Sequence, residues 1–283
     1  PRQPGKPDED TPYSYGGKPV ADKGVPWQAQ IYAPFPAERW PETSRKGKAL
    51  WQLQHFCGGT LIANDWVLTA AHCIDQEMVN LGYRVRLGAQ DISREDGISY
   101  KIDRIVRHSK YDEKPLPATP NMYAHDIALV HIVDDGKPDR RDPTRIRTIA
   151  LDQGKGPAAG TPVTGSGWGK TEAVEPTVPN AVMLKVDLRM MDTARCQGLP
   201  GYGTAKIHDK VFCAANPARA TCRGDSGGPV VLTNGAPTLV GIISWGKKRC
   251  AGDGQPGVYT KVASYYDWIQ TAMRLPATRN ALP

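Results

Sequence analysis

Gly224-Asp225-Ser226-Gly227-Gly228-Pro229 places a serine inside a run of glycines and reads as a nucleophile on a tight turn. Glycine on either side lets the backbone approach a substrate carbonyl closely and adopt dihedrals that other residues resist. The backbone N–H groups of Gly224 and Ser226 can then converge on a developing oxyanion. A hydroxyl alone is a weak nucleophile, so this chemistry requires a base and a carboxylate elsewhere in the chain. Thr69-Ala70-Ala71-His72-Cys73 and His125-Asp126-Ile127-Ala128-Leu129 offer the two residue types.

With 283 residues the chain can bury a large core, as one compact unit or two packed halves. No apolar run reaches the length of a membrane span, so a soluble chain is expected. It starts at Pro1 without a charged-then-apolar leader, and an export signal is expected to have been removed or left outside the numbering. Six cysteines form an even set that suits an oxidising compartment, and composition alone permits fifteen pairings. No Cys-x-x-Cys spacing occurs, which argues against a structural metal site. The net charge of +7 is gathered partly in Arg45-Lys46-Gly47-Lys48, in Arg140-Arg141 with Arg145 and Arg147, and in Lys247-Lys248-Arg249. A nucleic-acid binder interleaves such charges with aromatic platforms. These runs fall instead in loops rich in Pro and Gly, so they read as solvated surface, and no nucleic-acid partner is expected. A heparin- or nucleic-acid-binding role also leaves the His, Asp and Ser segments unexplained.

Residues 1–13 are rich in Pro and charge and read as an extended tail or pro-segment. Beyond them, short apolar runs alternate with turn residues. Leu61-Ile62, Trp66–Leu68, Tyr83–Leu87 and Ile127–Val133 read as strands, and the style repeats at Thr161–Thr164, Ala181–Leu188, Val211–Cys213, Pro229–Leu232, Leu239–Ser244 and Gly257–Val262. Tyr265, Trp268, Ile269 and Ala272 have helical spacing after a serine cap at Ser264.

At its three chemical segments the chain resembles the chymotrypsin/trypsin-like serine proteases, whose chain order is also His, Asp, Ser. His55-Phe56-Cys57-Gly58-Gly59, Gly165-Ser166-Gly167-Trp168-Gly169, Ser244-Trp245-Gly246 and Pro256-Gly257-Val258-Tyr259 extend the likeness over nearly the whole chain. The resemblance implies an all-β fold of two packed antiparallel six-stranded β-barrels with a C-terminal α-helix. The domain would span 14–283, with barrels at about 26–150 and 155–262 and the helix at about 264–274. It implies the disulfides Cys57–Cys73, Cys196–Cys213 and Cys222–Cys250. It implies a serine endopeptidase with catalytic His72, Asp126 and Ser226, an oxyanion hole at Gly224 and Ser226, and no cofactor or metal. It is expected to act on polypeptides, with protein inhibitors as further partners, as a secreted monomer in an extracellular or periplasmic space. The rival function is a non-catalytic binding protein on the same fold.

The resemblance also marks departures. Ala220, six residues before the nucleophile, stands where trypsin-like members carry an aspartate. With Thr221, Gly246 and Gly257 it outlines an open, uncharged slot, and burial in such a slot favours apolar or aromatic side chains. Arg223 and Lys247–Arg249 put positive charge at its rim, and Ser244, Trp245 and Gly246 would pair with the substrate main chain. Ala89 replaces a carboxylate in the loop that binds calcium in relatives, leaving only Asp91, Glu95 and Asp96, so no calcium site is expected. The activating N-terminus would fall at Ser14, after Tyr13, with no Lys or Arg before it. Asp225 then needs another partner. The zymogen-like solution is a pair with His55 that leaves the uncut chain latent, and the alternative is a substitute group in an active chain. Insertions at 32–54, 74–81 and 112–124 either rim the cleft or are plain surface loops.

Overall fold

Apolar runs of four to seven residues, cut by Gly, Pro and Asp, are too short for core helices and fold as strands. The computed structural model describes residues 17–94, 96–111, 124–134, 141–170, 178–246, 250 and 255–276. A short lead strand, β1 (Lys18–Pro19), precedes the first barrel. That barrel comprises β2 (Gln28–Tyr32), β3 (His55–Ala63), β4 (Trp66–Thr69), β5 (Arg84–Leu87), β6 (Ile98–Arg107) and β7 (Ala128–Val133). It closes in the order β2-β3-β4-β7-β6-β5. Its interior holds Ile31, Leu61, Val67, Val85, Tyr100 and Leu129, all buried. Each such side chain contributes about 1.5–3 kcal/mol on leaving water.

The second barrel follows the small strand β8 (Ala150–Leu151). Its members are β9 (Pro162–Gly167), β10 (Leu184–Met190), β11 (Val211–Ala215), β12 (Pro229–Leu232), β13 (Thr238–Trp245) and β14 (Gly257–Lys261). Pairing of β9 with both β10 and β12 closes it. β10 shows the period of two most clearly: Leu184, Val186, Leu188 and Met190 are buried, while Lys185, Asp187 and Arg189 are exposed. A slip of one residue would exchange those two sets, so the register is strongly specified. The protein therefore has two closed six-stranded antiparallel barrels, as the resemblance implied.

Short helices occupy the connections: α1 (Glu42–Arg45), α2 (Leu50–Gln54), α3 (Gln76–Leu81), α4 (Thr193–Gln197) and α5 (Gly203–Lys206). α3 is capped by Asp75, whose carboxylate accepts from the N–H of Met78 at 2.7 Å. The insertion at 32–54 is ordered, with its neck closed by Ala33 N–H to Gln54 O at 2.9 Å. Trp51 within it packs on a cluster of Val20, Ala89, Ile92, Trp168 and Met183. The insertion at 74–81 is α3 with its cap, whereas the third, at 112–124, lies outside the described residues except for Ala124.

The final helix, α6 (Tyr266–Met273), follows a 3₁₀ turn at Val262–Tyr265, so its start is later than the serine-cap reading expected. Ser264 does not cap it, and its hydroxyl reaches Asp209 O at 3.4 Å instead. Tyr265, Ile269 and Ala272 join the apolar core of the first barrel, so a helix downstream of the second barrel straps the two together. No helix among the described residues is long and apolar enough to cross a membrane.

Candidate active site

β4 ends at Thr69 and the chain turns through Ala71-His72-Cys73, where Ala71 and Cys73 are buried and His72 is half-buried. A disulfide from Cys73 to Cys57 of β3 ties this turn down. Asp126 enters just before β7 and is buried. Its Oδ2 lies 2.8 Å from His72 Nδ1, and its Oδ1 accepts from the His72 N–H at 3.0 Å. Two groups from the second barrel complete its setting. Ser244 Oγ donates to Oδ2 at 2.5 Å, and Thr260 Oγ1 donates to the Asp126 carbonyl at 2.9 Å. A carboxylate on Nδ1 keeps the proton there, which makes Nε2 the basic nitrogen of the ring. Sequence reasoning assigned Ser244 to the substrate main chain and missed that its side chain holds the carboxylate. Only the tertiary fold brings the two residues together.

Ser226 sits on a loop locked to both barrels. Its carbonyl accepts from Gly58 N–H of β3 at 2.7 Å, and Gly227 N–H donates to Ile243 O of β13 at 2.7 Å. Gly227 has φ +78° and a side chain there would collide with Thr69, Gly58 and Cys73, so only glycine lets this loop lie beside the histidine turn. Two peptide planes are set by their carbonyls: Arg223 O accepts from Lys170 N–H at 2.8 Å, and Asp225 O accepts from Gly228 N–H at 2.9 Å. In a trans peptide the N–H points opposite its carbonyl. The N–H groups of Gly224 and Ser226 are thereby turned away from those anchors, and neither has an intramolecular acceptor among the described residues.

The pairing of Asp225 with His55 is not formed. The carboxylate accepts instead from Gly169 N–H at 2.7 Å and Cys222 N–H at 2.8 Å. The His55 ring spans Gly224 O at 2.9 Å and the Gln30 amide at 3.2 Å. An imidazole N–H satisfies a buried carbonyl without burying a second charge, which is the cheaper arrangement in this dry site. Burial drives the His55 pKa down to about 4, against the Gly224 carbonyl and with help from Arg86. Burial drives Asp225 up to about 6, against the N–H groups of Cys222 and Gly169. The two act oppositely on stability. Neutral His55 favours the fold above the ordinary histidine value of about 6.5, and that contribution is lost as pH falls toward 4. Asp225 favours the fold most when protonated, and its contribution is lost as pH rises through 6. An NMR titration of the imidazole carbons is expected to place the His55 midpoint near 4, and a midpoint near 6.5 would rule out this closed packing.

At the slot, Ala220 is buried and Thr221 Oγ1 lies 3.0 Å from the Tyr259 hydroxyl, which takes up its polarity. Gly246 follows the end of β13 and Gly257 opens β14, and Trp245 stacks on Tyr202 with centroids 5.6 Å apart. Disulfides join Cys196 to Cys213 and Cys222 to Cys250. Lys247–Arg249, Glu95, Tyr13 and Ser14 lie outside the described residues.

His125, at φ +56° ahead of β7, and His131 within β7 do not share a site. His131 is bracketed by Asp103 at 2.6 Å and Asp65 at 3.1 Å, whereas His125 stacks on His108 and meets the Tyr265 hydroxyl at 3.1 Å. Cys57, His72 and Cys73 are metal-ligand types lying close together, but the two sulfurs are bonded to each other.

A family model described as trypsin matches residues 14–269. Trypsin epsilon of Drosophila erecta is 35% identical over 221 residues, covering 78% of this chain and 78% of that one. Cationic trypsin-3 of Rattus norvegicus is 36% identical over 221 residues, covering 76% and 79%. The solved structure of neuropsin, a serine protease expressed in the limbic system of mouse brain, superposes with a TM-score of 0.70 at 28% identity, covering 91% of this chain and 98% of that one.

Proposed function

Because the chain belongs to the trypsin family and is a serine endopeptidase, we propose that His72, Asp126 and Ser226 carry its catalysis. The observation that carries this is the buried Asp126 gripping His72 beside the Ser226 loop. Ser226 Oγ attacks the scissile carbonyl while His72 Nε2 takes its proton. Asp126 stabilises the resulting imidazolium without becoming protonated. The carbonyl oxygen turns negative between the N–H groups of Gly224 and Ser226. His72 returns the proton to the leaving amine, and water then hydrolyses the acyl-enzyme by the same steps in reverse. The test is covalent labelling of Ser226 by a fluorophosphonate. A chain that never labels, cut or uncut, would instead be the protease-fold binding protein.

Substrate preference follows from Ala220. Although the matched relatives are named trypsins, no carboxylate stands at this position to pair with Lys or Arg. The slot therefore takes apolar or aromatic side chains, at about 25 cal/mol per Å² removed from water. Peptide-library profiling is expected to show cleavage after Phe, Tyr or Leu. Dominant cleavage after Lys or Arg would refute the assignment.

Full activity further needs a cut before Ser14, where the family match also begins. Asp225 has no cationic partner among the described residues. β1 pairs with β10, and β10 pairs with β9 at Gly167, which lies against the Asp225 side chain. Ser14 stands three residues before Gly17, and three residues reach about 10 Å, two strand spacings. A terminal ammonium there would supply the missing charge, so labelling is expected to rise on cutting between Tyr13 and Ser14. Equal labelling before and after the cut would make the uncut chain fully active. The three disulfides fit folding in an oxidising, secretory compartment.

A further inference from the structure

The uncut chain already carries an assembled catalytic arrangement. Its sequence runs unbroken through Tyr13-Ser14, yet Asp126 grips His72 at 2.8 and 3.0 Å. The N–H groups of Gly224 and Ser226 have no intramolecular acceptor among the described residues. The pair of Asp225 with His55 that would turn them away is not formed. Hydrolysis at a reduced rate is therefore open to the chain before any cut.

The bond to be cut also matches the slot. Tyr13 offers an aromatic ring to a slot lined by buried Ala220, where no carboxylate selects Lys or Arg. Pro12 fixes its own φ and biases Thr11 toward extended backbone. Thr11-Pro12-Tyr13 is thus preset for the added strand that Ser244–Gly246 would accept. Among the described residues, the exposed large apolar side chains are Leu50 in α2, Phe56 in β3 and Leu81 at the end of α3. A cleft that binds extended chain takes none of these without local unfolding. Reach decides whose cleft is used. Gly17 is buried, and the four residues back to Tyr13 span about 14 Å at most. β1 lies four strand spacings from β13 in the order β1-β10-β11-β14-β13, roughly 19 Å around the sheet.

We infer that the chain is its own activating protease, one copy cutting the Tyr13–Ser14 bond of another. The inference rests on the catalytic reading above and names a substrate through which that site is regulated. Ser226 Oγ of the first copy bonds to the Tyr13 carbonyl carbon, the C–N bond breaks, and His72 passes the serine proton to the Ser14 nitrogen. Water then hydrolyses the ester and frees the segment ending at Tyr13 as a carboxylate. The second copy keeps a new ammonium at Ser14. Each cut thus yields a more active enzyme, and conversion accelerates as it proceeds.

The full-length Ser226→Ala chain, which cannot cut, serves as substrate for the wild-type chain. Mass spectrometry is expected to find a new N-terminus at Ser14, formed at a rate proportional to wild-type concentration. Wild-type chain alone should convert after a lag that shortens as its concentration rises. Adding Tyr13→Asp to the Ser226→Ala substrate should slow the cut roughly ten- to hundredfold, whereas Tyr13→Phe should leave it fast. Self-activation is overturned if the substrate stays whole, is cut only after Tyr15 or elsewhere, or is cut equally well in its Tyr13→Asp form. Wild-type conversion at a rate independent of concentration would overturn the step between copies. Fluorophosphonate labelling separates these failures from that of the reading beneath. A labelled enzyme that spares the Tyr13–Ser14 bond loses only self-activation, and an unlabelled one loses the catalytic reading as well.

Discussion

Replacing Ser226 with alanine is expected to lower kcat by roughly 10⁶-fold and to abolish fluorophosphonate labelling, with little change in substrate affinity. The size follows from what remains. The loop is held by its backbone, through Gly58 N–H to Ser226 O and Gly227 N–H to Ile243 O, so removing the hydroxyl leaves the loop in place. The N–H groups of Gly224 and Ser226 still face the carbonyl, and such donors with substrate binding sustain about 10³–10⁴-fold acceleration over water. What disappears is the covalent route. A variant that keeps its melting temperature and loses turnover identifies Ser226 as the nucleophile, whereas one that still takes the label places the nucleophile elsewhere.

Asp126→Asn should cost about 10⁴-fold in kcat, through the proton rather than the fold. The carboxylate side chain accepts three hydrogen bonds, from His72 N–H, His72 Nδ1 and Ser244 Oγ. An amide has one accepting oxygen. If that oxygen serves the backbone N–H of His72, the amide NH₂ faces Nδ1 and forces the proton onto Nε2, where the ring can no longer accept one from Ser226. KM should change little, because Asp126 is buried away from substrate. A loss below tenfold would make Asp126 a structural carboxylate only. Ser244 can rotate its hydroxyl to suit either group, so it does not rescue the tautomer.

The segments around His72, Asp126 and Ser226 stood out as short local strings, whereas the three disulfides followed from the family resemblance alone, since composition permitted fifteen pairings. Most strands were legible too, since β10 and β12 keep a continuous period or a continuous apolar run. β6 was not. Its sequence, Ile98 to Arg107, buries Tyr100 and Ile102, then shifts register between Ile102 and Arg104 before burying Ile105 and Val106. A bulge of this kind breaks the alternation that marks a strand, and Lys101, Asp103 and Arg104 make the run look like a loop. The partners of buried polar groups were equally hidden. His55 was expected to hold Asp225 and instead holds the carbonyl of Gly224, 169 positions away. Ser244 meets Asp126 across 118 positions. Such contacts depend on how two barrels dock, and no local pattern encodes that.

The docking has a consequence for a chain still being made. Asp126 and His72 belong to the first barrel, but the hydroxyls that hold Asp126 come from Ser244 and Thr260, and the Ser226 loop is anchored on both halves. Domains fold in the order of synthesis, the N-terminal part first. The first barrel by itself lacks the hydroxyls that hold Asp126, one anchor of the Ser226 loop, and the Tyr265, Ile269 and Ala272 that complete its own core. Cutting ability appears only when the last strands and α6 have closed over the first barrel, by which time the chain's own loops are no longer slack. Assembly across two barrels works as a safety catch that protects the newborn protease, and its neighbours, from itself.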